Sequence, residues 1–395
     1  MAVEWDSQRD LFEVPDEIAY FNAASLSPVL HAVRAAGEAA LRQRARPWEI
    51  GEDDWFAGAE RLRSLAGRLF GSGKAGNNGE EQGTEDSSAE GIALVPATSY
   101  GFAVAAANLS ITERQQILVL ADEYPSGVYT WRRLAERSGA SIRTVTRSPG
   151  QTWTDAILAE IDDRIAIVSV PNVHWTDGGL IDIEQVAART HAAGSRLVID
   201  ASQSLGVMPL DVAALRPDFV VSVGYKWLLG PFGRGYLWVA EEHRDGRPLE
   251  ENWIVRAGSD DFAGLVDYRD DYLPGARRYD QGARTLFELT PMAVAALEQV
   301  LAWGPSRIAG TLATITGDIA ARISAAGLDV TVAELHGPHV LGVRVPEGAT
   351  DQVAAALKKA NCFVARRGDA IRVSPHLHVT PADVDRLVTT LIASL

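Results

Sequence analysis

The sequence lacks the features that a nucleic-acid-binding, membrane-spanning or secreted protein needs. Its formal net charge is -15, whereas nucleic acids and anionic membranes attract basic surfaces. It has no run of about 18 apolar residues that could span a membrane. Its first residues also lack the basic and apolar regions of a secretion signal. We therefore expect neither a nucleic acid nor a membrane as partner, and a cytoplasmic location.

Cysteine is almost absent. The single cysteine, Cys362, excludes an intramolecular disulfide framework and any metal site built from several cysteines. It lies in "KKANCFVARRG", near the predicted start of a strand. We interpret it as a buried small hydrophobic residue and not as a nucleophile, and we predict no metal.

Lysine is scarce as well. Of 37 basic residues only Lys74, Lys226, Lys358 and Lys359 are lysines. Lys226 follows an apolar run in "VVSVGYKWLLGPFGRG". A lysine kept in such a segment suggests a need for an amine that can lose its proton, which arginine cannot do. The base composition of the gene could produce the same bias.

Short apolar runs alternate with helical patterns between Glu90 and Val239. Runs such as "QQILVLAD", "RIAIVSVPN" and "SRLVIDAS" are typical of strands covered on both faces. Segments such as "SGVYTWRRLAERSG" have helical spacing and end on glycine. The pattern predicts an α/β fold with a mostly parallel sheet. Ligands of such sheets bind at the carboxyl ends of the strands.

The length permits two domains. We predict an N-terminal segment (1–19), a large α/β domain (20–245), and a linker loop with a smaller α+β domain (246–395). A polar, glycine-rich stretch at 72–91 is interpreted as a flexible insertion. Its "GSGKA" lacks the spacing of a phosphate-binding loop. The glycines of "GPFGRG" follow Lys226 on a predicted hairpin, which argues against a dinucleotide fingerprint.

Polar residues follow three apolar runs, where a sheet would place a ligand. They are Asn172 and His174; Asp200, Ser202 and Gln203; and Ser222, Tyr225 and Lys226. An aspartate in this position can simply cap the next helix. Together with a lysine on a neighbouring strand end, it is also the pair that pyridoxal phosphate (PLP) requires, one group to hold a ring nitrogen protonated and one to form an imine.

Other segments could complete such a site. Thr98 and Ser99 precede an apolar helix, where they could bind a phosphate or only cap the helix. Tyr124 could stack on a planar ring or pack in the core. Arg372 could bind a substrate carboxylate or form a surface ion pair.

Seven stretches in order resemble the class V aminotransferase family of PLP enzymes, which includes cysteine desulfurases, kynureninases, isopenicillin N epimerases and C–S lyases. They cover the chain from about Tyr20 to its end: "YFNAASLSPV", "PATSYGFAVAAANL", "DEYPSGVYTW", "VPNVHWTDGGLIDIEQV", "VIDASQSLGVMPLDV", "DFVVSVGYKWLLGPFGRGYLWV" and "IRVSPHLHVT". The resemblance implies the type I fold of PLP-dependent transferases, with a large mostly parallel-sheet domain and a smaller α+β domain.

The resemblance also implies roles for single residues. Lys226 would form the Schiff base and move protons through a quinonoid, and Asp200 would pair with the pyridine nitrogen. Arg372 would bind the substrate carboxylate, with Asn22 and Ala23 lining the pocket. The cofactor contacts implied are Thr98, Ser99, Ser202 and Tyr225 at the phosphate, Gln203 and Asn172 at the phenolic oxygen, and Tyr124 over the ring. Gly282 and Thr285 would reach the phosphate of the neighbouring protomer, which implies a homodimer with its active site at the interface.

Departures from the family pattern bear on the reaction. The desulfurase cysteine is missing from "VARRGDAIRV", so persulfide-forming desulfuration is not expected. His174 and Trp175, specific to this chain, could face the substrate, and His174 is an acid–base candidate or a packing residue. We favour β-elimination from a cysteine-derived or other β-substituted amino acid. The alternatives are transamination, then kynureninase-like cleavage or epimerisation. A non-catalytic PLP-binding protein is disfavoured, because Lys226, Asp200 and Arg372 are all present.

Overall fold

A seven-stranded sheet forms the centre of the computed structural model, which describes residues 5–71, 89–328, 331–332 and 335–395. In spatial order its strands are β2 (Ile92–Val95), β8 (Gly235–Val239), β7 (Phe219–Val223), β6 (Arg196–Asp200), β5 (Ile165–Pro171), β3 (Gln116–Leu120) and β4 (Ser141–Val145). Only β8 runs antiparallel to its neighbours. The predicted α/β fold class with a mostly parallel sheet is confirmed.

Helices cover this sheet. Every residue of β2, β5 and β7 is buried, as expected of strands with both faces covered. The helices up to the centre of the chain are α1 (His31–Arg44), α2 (Ala57–Phe70), α3 (Thr98–Asn108), α4 (Ser126–Ser138), α5 (Trp153–Glu160), α6 (Ile183–Ala192) and α7 (Val212–Leu215). Short 3-10 helices lie at Arg9–Leu11, Pro47–Glu49, Asp53–Trp55, Glu241–His243, Trp253–Val255, Ala263–Val266 and Gly275–Tyr279.

Helix α3 packs very close to strand β7, and Gly101 makes this approach possible. A Cβ at Gly101 would lie 2.6 Å from Cγ1 of Val221, which is shorter than a van der Waals contact. The start of α3 is thereby held next to the carboxyl ends of the strands.

The C-terminal part contains a four-stranded antiparallel sheet in the order β12 (Ala365–Arg367), β13 (Ala370–Val373), β10 (Leu341–Arg344) and β9 (Thr331–Val332). Its helices are α8 (Thr290–Trp303), α9 (Pro305–Ala325), α10 (Thr350–Lys359) and α11 (Pro381–Ala393). Gly304, whose φ is +81°, ends α8 before Pro305 starts α9.

The N-terminal residues pack on the C-terminal part of the chain. Strand β1 (Ala19–Tyr20) pairs in parallel with β11 (Cys362–Phe363), and Arg9 forms an ion pair with Asp383 at 2.8 Å. "NCFVARRG", expected as one strand, is divided between β11 and β12, which belong to different sheets. The domain boundaries predicted above remain a prediction.

Two further predictions concern the insertion at 72–91 and membrane-spanning segments. Of the proposed insertion at 72–91, residues 72–88 lie outside the described residues. Within the part of the chain that the structure describes, no helix is both long and apolar enough to cross a membrane.

Candidate active site

A cavity opens at the carboxyl edge of the central sheet. It encloses about 370 Å³ of space free of atoms, part of it open to solvent. Its lining residues are Thr98, Glu123, Tyr124, Pro171, Val173, Trp175, Asp200, Ser202, Gln203, Val223, Tyr225 and Lys226. Seven of the sequence-predicted site residues therefore meet here: Thr98, Tyr124, Asp200, Ser202, Gln203, Tyr225 and Lys226.

Lys226 follows β7 and reaches into this cavity. Burial lowers the pKa of its amine to about 8, and the positive charges of Arg372 and Arg367 act in the same direction. Its Nζ lies 5.5 Å from the centroid of the Tyr124 ring. The amine can thus lose its proton near neutral pH, as a nucleophile or a base must.

Asp200 ends the neighbouring strand β6. Burial raises the pKa of its carboxyl group, although the Ser202 N–H and the charge of Lys226 oppose this. The Ser202 N–H donates to Oδ1 at 2.8 Å. Within the described ranges Asp200 forms no ion pair at contact distance. A cation that enters the cavity would therefore favour its ionised form.

The start of helix α3 provides a place for an anion. Its N-cap position, Ala97, offers no side-chain cap, so the first backbone N–H groups keep their capacity to donate. Thr98 is buried and lines the cavity together with Ser202 and Tyr225. Ser99 is exposed and is not part of the lining.

The amide side chains of Gln203 and Asn172 differ in their position and in their hydrogen bonds. The Nε2 of Gln203 donates to the Ala24 carbonyl at 3.1 Å, and its Oε1 accepts from Nε1 of Trp227 at 2.9 Å. One amide N–H of Gln203 therefore remains for a ligand. Asn172 does not line the cavity, and its buried Oδ1 has no hydrogen-bond partner in the described part of the chain.

Arg372 lies on β13 and is almost completely buried. Its Nη2 donates to Oγ of Ser25 at 2.6 Å and to Oδ1 of Asn22 at 3.4 Å, and its Nη1 donates to the Trp175 carbonyl at 2.6 Å. The family resemblance implied that Asn22 lines the pocket in which Arg372 binds the substrate, and the structure brings these two side chains together. Ala23 is buried and bonds through its N–H to the Ser374 carbonyl at 3.0 Å.

His174 lies outside the cavity lining. Its ring stacks on Trp153 with centroids 4.8 Å apart, and its Nδ1 lies 2.7 Å from Oγ1 of Thr176. Residues 171, 173 and 175 line the cavity, so the side chain at 174 points to the opposite side, as alternation along an extended segment requires. The geometry favours the packing interpretation of His174.

Gly282 and Thr285 also lie elsewhere in their own chain. The Gly282 N–H donates to Oε2 of Glu250 at 2.8 Å, and Oγ1 of Thr285 donates to the Trp55 carbonyl at 2.8 Å. Neither lines the cavity. A role for them at the site of a neighbouring protomer stays a prediction.

Glu123 is a cavity residue that the sequence did not reveal. Burial raises the pKa of its carboxyl group to about 7, and the negative charge of Asp200 acts in the same direction. Its Oε1 accepts the Tyr124 N–H at 2.7 Å. The sequence contained one indication of this role, because Glu123 follows strand β3 and directly precedes Tyr124.

These groups match the chemical parts of PLP. A partly neutral lysine suits an aldehyde, an unpaired buried carboxylate suits a protonated ring nitrogen, and an uncapped helix start suits a phosphate. The spare N–H of Gln203 suits an oxygen substituent of the ring, whereas Asn172 lies outside the cavity lining. The residues present therefore fit the cofactor.

Comparison with protein families gives an independent result. Residues 85–387 match the family model described as aminotransferase class-V. The uncharacterized aminotransferase YcbU of Bacillus subtilis (strain 168) is 26% identical over 303 residues, which cover 76% of this chain and 78% of that protein. A probable cysteine desulfurase of Methanothermobacter thermautotrophicus is 25% identical over 412 aligned residues, which cover 98% of this chain and 96% of that protein.

The fold is shared with a solved lyase. The cystine C–S lyase C-DES, solved with its reaction product cysteine persulfide, superposes with a TM-score of 0.80 at 17% identity, over 95% of this chain and 98% of that chain. The three proteins are named after three different reactions, so the comparisons do not select one of them.

Proposed function

The chain belongs to the aminotransferase class-V family and is a PLP-dependent enzyme, and on that premise we propose that it catalyses β-elimination from a β-substituted amino acid, such as a cysteine derivative. The observation that carries this proposal is a lysine amine, Lys226, beside an unpaired carboxylate, Asp200, in a cavity lined by no cysteine. Cys362, the only cysteine, is buried in β11, and burial raises the pKa of its thiol to about 11.

PLP, when bound, supplies an aldehyde for the substrate amine and a ring that spreads the negative charge left on Cα. Lys226 removes the proton from Cα, because burial lowers the pKa of its amine to about 8 and so makes the neutral form accessible near neutral pH. Asp200 holds a proton at the pyridine nitrogen. Arg372 binds the substrate carboxylate and thereby orients the Cα–H bond toward Lys226.

Elimination needs a leaving group on Cβ. The Cα–H and Cβ–S bonds break, the sulfur leaves with the electron pair of its bond, and hydrolysis of the remaining fragment yields pyruvate and ammonia. Glu123, whose pKa is raised to about 7 by burial, is placed in the cavity wall as a carboxylic acid that can protonate the departing sulfur. A cysteine nucleophile would be needed only to capture sulfur as a persulfide.

Transamination is the second candidate, since the YcbU relative is named an aminotransferase. It uses the same Lys226, Asp200 and Arg372 for the first proton transfer. The two reactions differ in whether a β-substituent is lost. The products formed from a substrate therefore distinguish the two reactions, whereas the residues of the site do not.

Purified holoenzyme given S-substituted cysteines as sole substrates tests the proposal. We expect equal amounts of free thiol and pyruvate without any added 2-oxo acid, and no product from a Lys226→Ala variant. Amino-group transfer to an added 2-oxo acid, with no thiol released, would instead identify the enzyme as an aminotransferase. The homodimer and the cytoplasmic location remain predictions alongside this proposal.

A further inference from the structure

Two guanidinium groups meet at one serine beside the cavity. Nη2 of Arg372 donates to Oγ of Ser25 at 2.6 Å, and Nη2 of Arg367 donates to the same atom at 3.1 Å. Because both nitrogens contact the same oxygen atom, the distance between them cannot exceed the sum of these two hydrogen-bond lengths. Two positive charges at this separation repel each other strongly when they are shielded from water.

No carboxylate compensates these charges within the described residues. The other hydrogen bonds of Arg372 go to the Trp175 carbonyl and the Asn22 amide, and that of Arg367 goes to the Arg366 carbonyl at 2.7 Å. Among the residues that the structure describes, the buried Nε atoms of Arg367 and Arg372 have no hydrogen-bond partner. Arg372 is buried and Arg367 is half-buried. Arginines shielded from water are normally paired with an anion, so both groups have unused capacity to bind one.

The neighbouring Arg366 shows the usual alternative. It is exposed on the other face of β12 and forms an ion pair with Asp351. These adjacent arginines therefore differ in their partners. Arg366 pairs with a carboxylate at the surface, whereas Arg367 is directed toward Arg372 and has no carboxylate partner among the described residues. Arg366 is for this reason a matched control for Arg367.

Trp175 connects the arginine pair to the cavity. The guanidinium carbon of Arg367 lies 5.2 Å from the centroid of the Trp175 ring, a distance typical of cation–π contacts, and Trp175 lines the cavity. Both arginines are also close enough to Lys226 to lower the pKa of its amine. The pair therefore lies next to the reacting region and not at a distant surface.

We propose that Arg372 and Arg367 form one receptor for a doubly anionic amino acid. Arg372 takes the α-carboxylate, and Arg367 takes a second acidic group on the substrate side chain. This inference rests on the proposed function and names its substrate class: a β-substituted amino acid whose substituent carries a carboxylate, sulfinate or sulfonate. A substrate with a neutral side chain leaves the Arg367 charge uncompensated and binds more weakly.

Binding to the holoenzyme tests the receptor without turnover. In isothermal titration we expect succinate, a dianion, to bind about tenfold or more tightly than butyrate, which has the same chain length and one charge. Arg367→Gln should remove most of this preference, Arg367→Lys should keep part of it, and Arg366→Gln should keep all of it. Equal binding of succinate and butyrate to the parent enzyme overturns the receptor.

Turnover separates this inference from the proposed function. We expect a higher kcat/KM for S-carboxymethylcysteine than for S-methylcysteine, with the difference lost in Arg367→Gln through KM. If both substrates react equally well and Arg367→Gln slows both alike, the receptor is refuted while β-elimination stands. If neither reacts but the succinate preference still depends on Arg367, the receptor stands and β-elimination fails.

Discussion

The Nζ atom of Lys226 lies 5.5 Å from the centroid of the Tyr124 ring, and both side chains line one cavity. Tyr124 is also 39% exposed, so its ring has a free face. We expect a planar cofactor attached to Lys226 to use that face. Tyr124→Ala should weaken PLP binding to the apoenzyme by about three- to tenfold, the worth of one aromatic contact.

Spectroscopic titration of the apoenzyme with PLP measures this effect. Tyr124→Phe is the control, because it keeps the ring and loses only the hydroxyl group. It should bind PLP within about twofold of the parent. A Tyr124→Phe variant as weak as Tyr124→Ala would show that the hydroxyl group, and not the ring, is the contact.

Asp200→Asn keeps the shape of the side chain and removes its charge. The cofactor should still attach to Lys226, but kcat should fall by at least about a hundredfold, because a neutral amide does not hold the ring nitrogen protonated. Steady-state kinetics of the fully loaded variant give this value. A kcat within a few-fold of the parent would remove Asp200 from its proposed role.

The pKa of Lys226 predicts how cofactor uptake depends on pH. Burial lowers it from 10.5 to about 8, and only the neutral amine attacks an aldehyde. The rate at which the apoenzyme takes up PLP should rise with pH to about 8 and then level off. Arg367→Gln removes one neighbouring positive charge and should move this rise to higher pH.

Stopped-flow absorbance across a pH series follows this reaction. The Arg366→Gln variant should match the parent, because its ion pair with Asp351 lies at the surface. A rate that keeps rising tenfold per pH unit up to the ordinary lysine pKa would mean that the amine is not buried.

Glu123 should destabilise the apoenzyme at alkaline pH. Burial raises the pKa of its carboxyl group from 4.5 to about 7, so the folded state binds this proton more tightly than the unfolded state. The contribution of this group to stability is then fully present below pH 4.5 and is lost as pH rises through 7. Glu123→Gln should therefore be more stable than the parent at pH 8, by about 2 kcal/mol, with little difference at pH 4.5.

Urea denaturation at the two pH values provides the comparison. The amide oxygen of glutamine can still accept the Tyr124 N–H, so the substitution keeps this contact. A difference of equal size at both pH values would show that the carboxyl group does not titrate as described.

Asp280 should be a major contributor to stability. It is fully buried and pairs with Arg63 at 2.7 Å and with Arg284 at 2.8 Å, both of which are buried. Asp280→Ala leaves two buried positive charges without this partner and should lower the free energy of unfolding by about 3–5 kcal/mol. Asp245→Ala breaks an exposed pair with Arg278 and should cost less than about 1 kcal/mol.

Most of the predicted site residues that line the cavity follow strands. The apolar runs before Asn172, Asp200 and Lys226 predicted strands covered on both faces, and parallel strands bring their carboxyl ends to one edge. Asp200 and Lys226 therefore meet at the cavity, whereas Asn172 lies outside its lining. Arg372 lies in another sheet, and only the family resemblance assigned it to the site.

The orientation of Arg367 could not be read from the sequence. In "VARRGD" Arg366 and Arg367 are chemically identical, and only the pairing of β12 with β13 determines which one turns toward Arg372. His174 is the opposite case, since alternation from Trp175 could have shown that its side chain points away from the cavity. Glu123 was overlooked because an acidic residue in a loop is usually solvated.

The attachment of the cofactor at Lys226 is the most direct test of this account. The chain has only four lysines, Lys74, Lys226, Lys358 and Lys359, so borohydride reduction of the holoenzyme followed by peptide mass spectrometry gives an unambiguous answer. We predict the mass of a reduced PLP group on the peptide containing Lys226 and on no other. A label on Lys74, Lys358 or Lys359 with Lys226 unmodified would contradict the account.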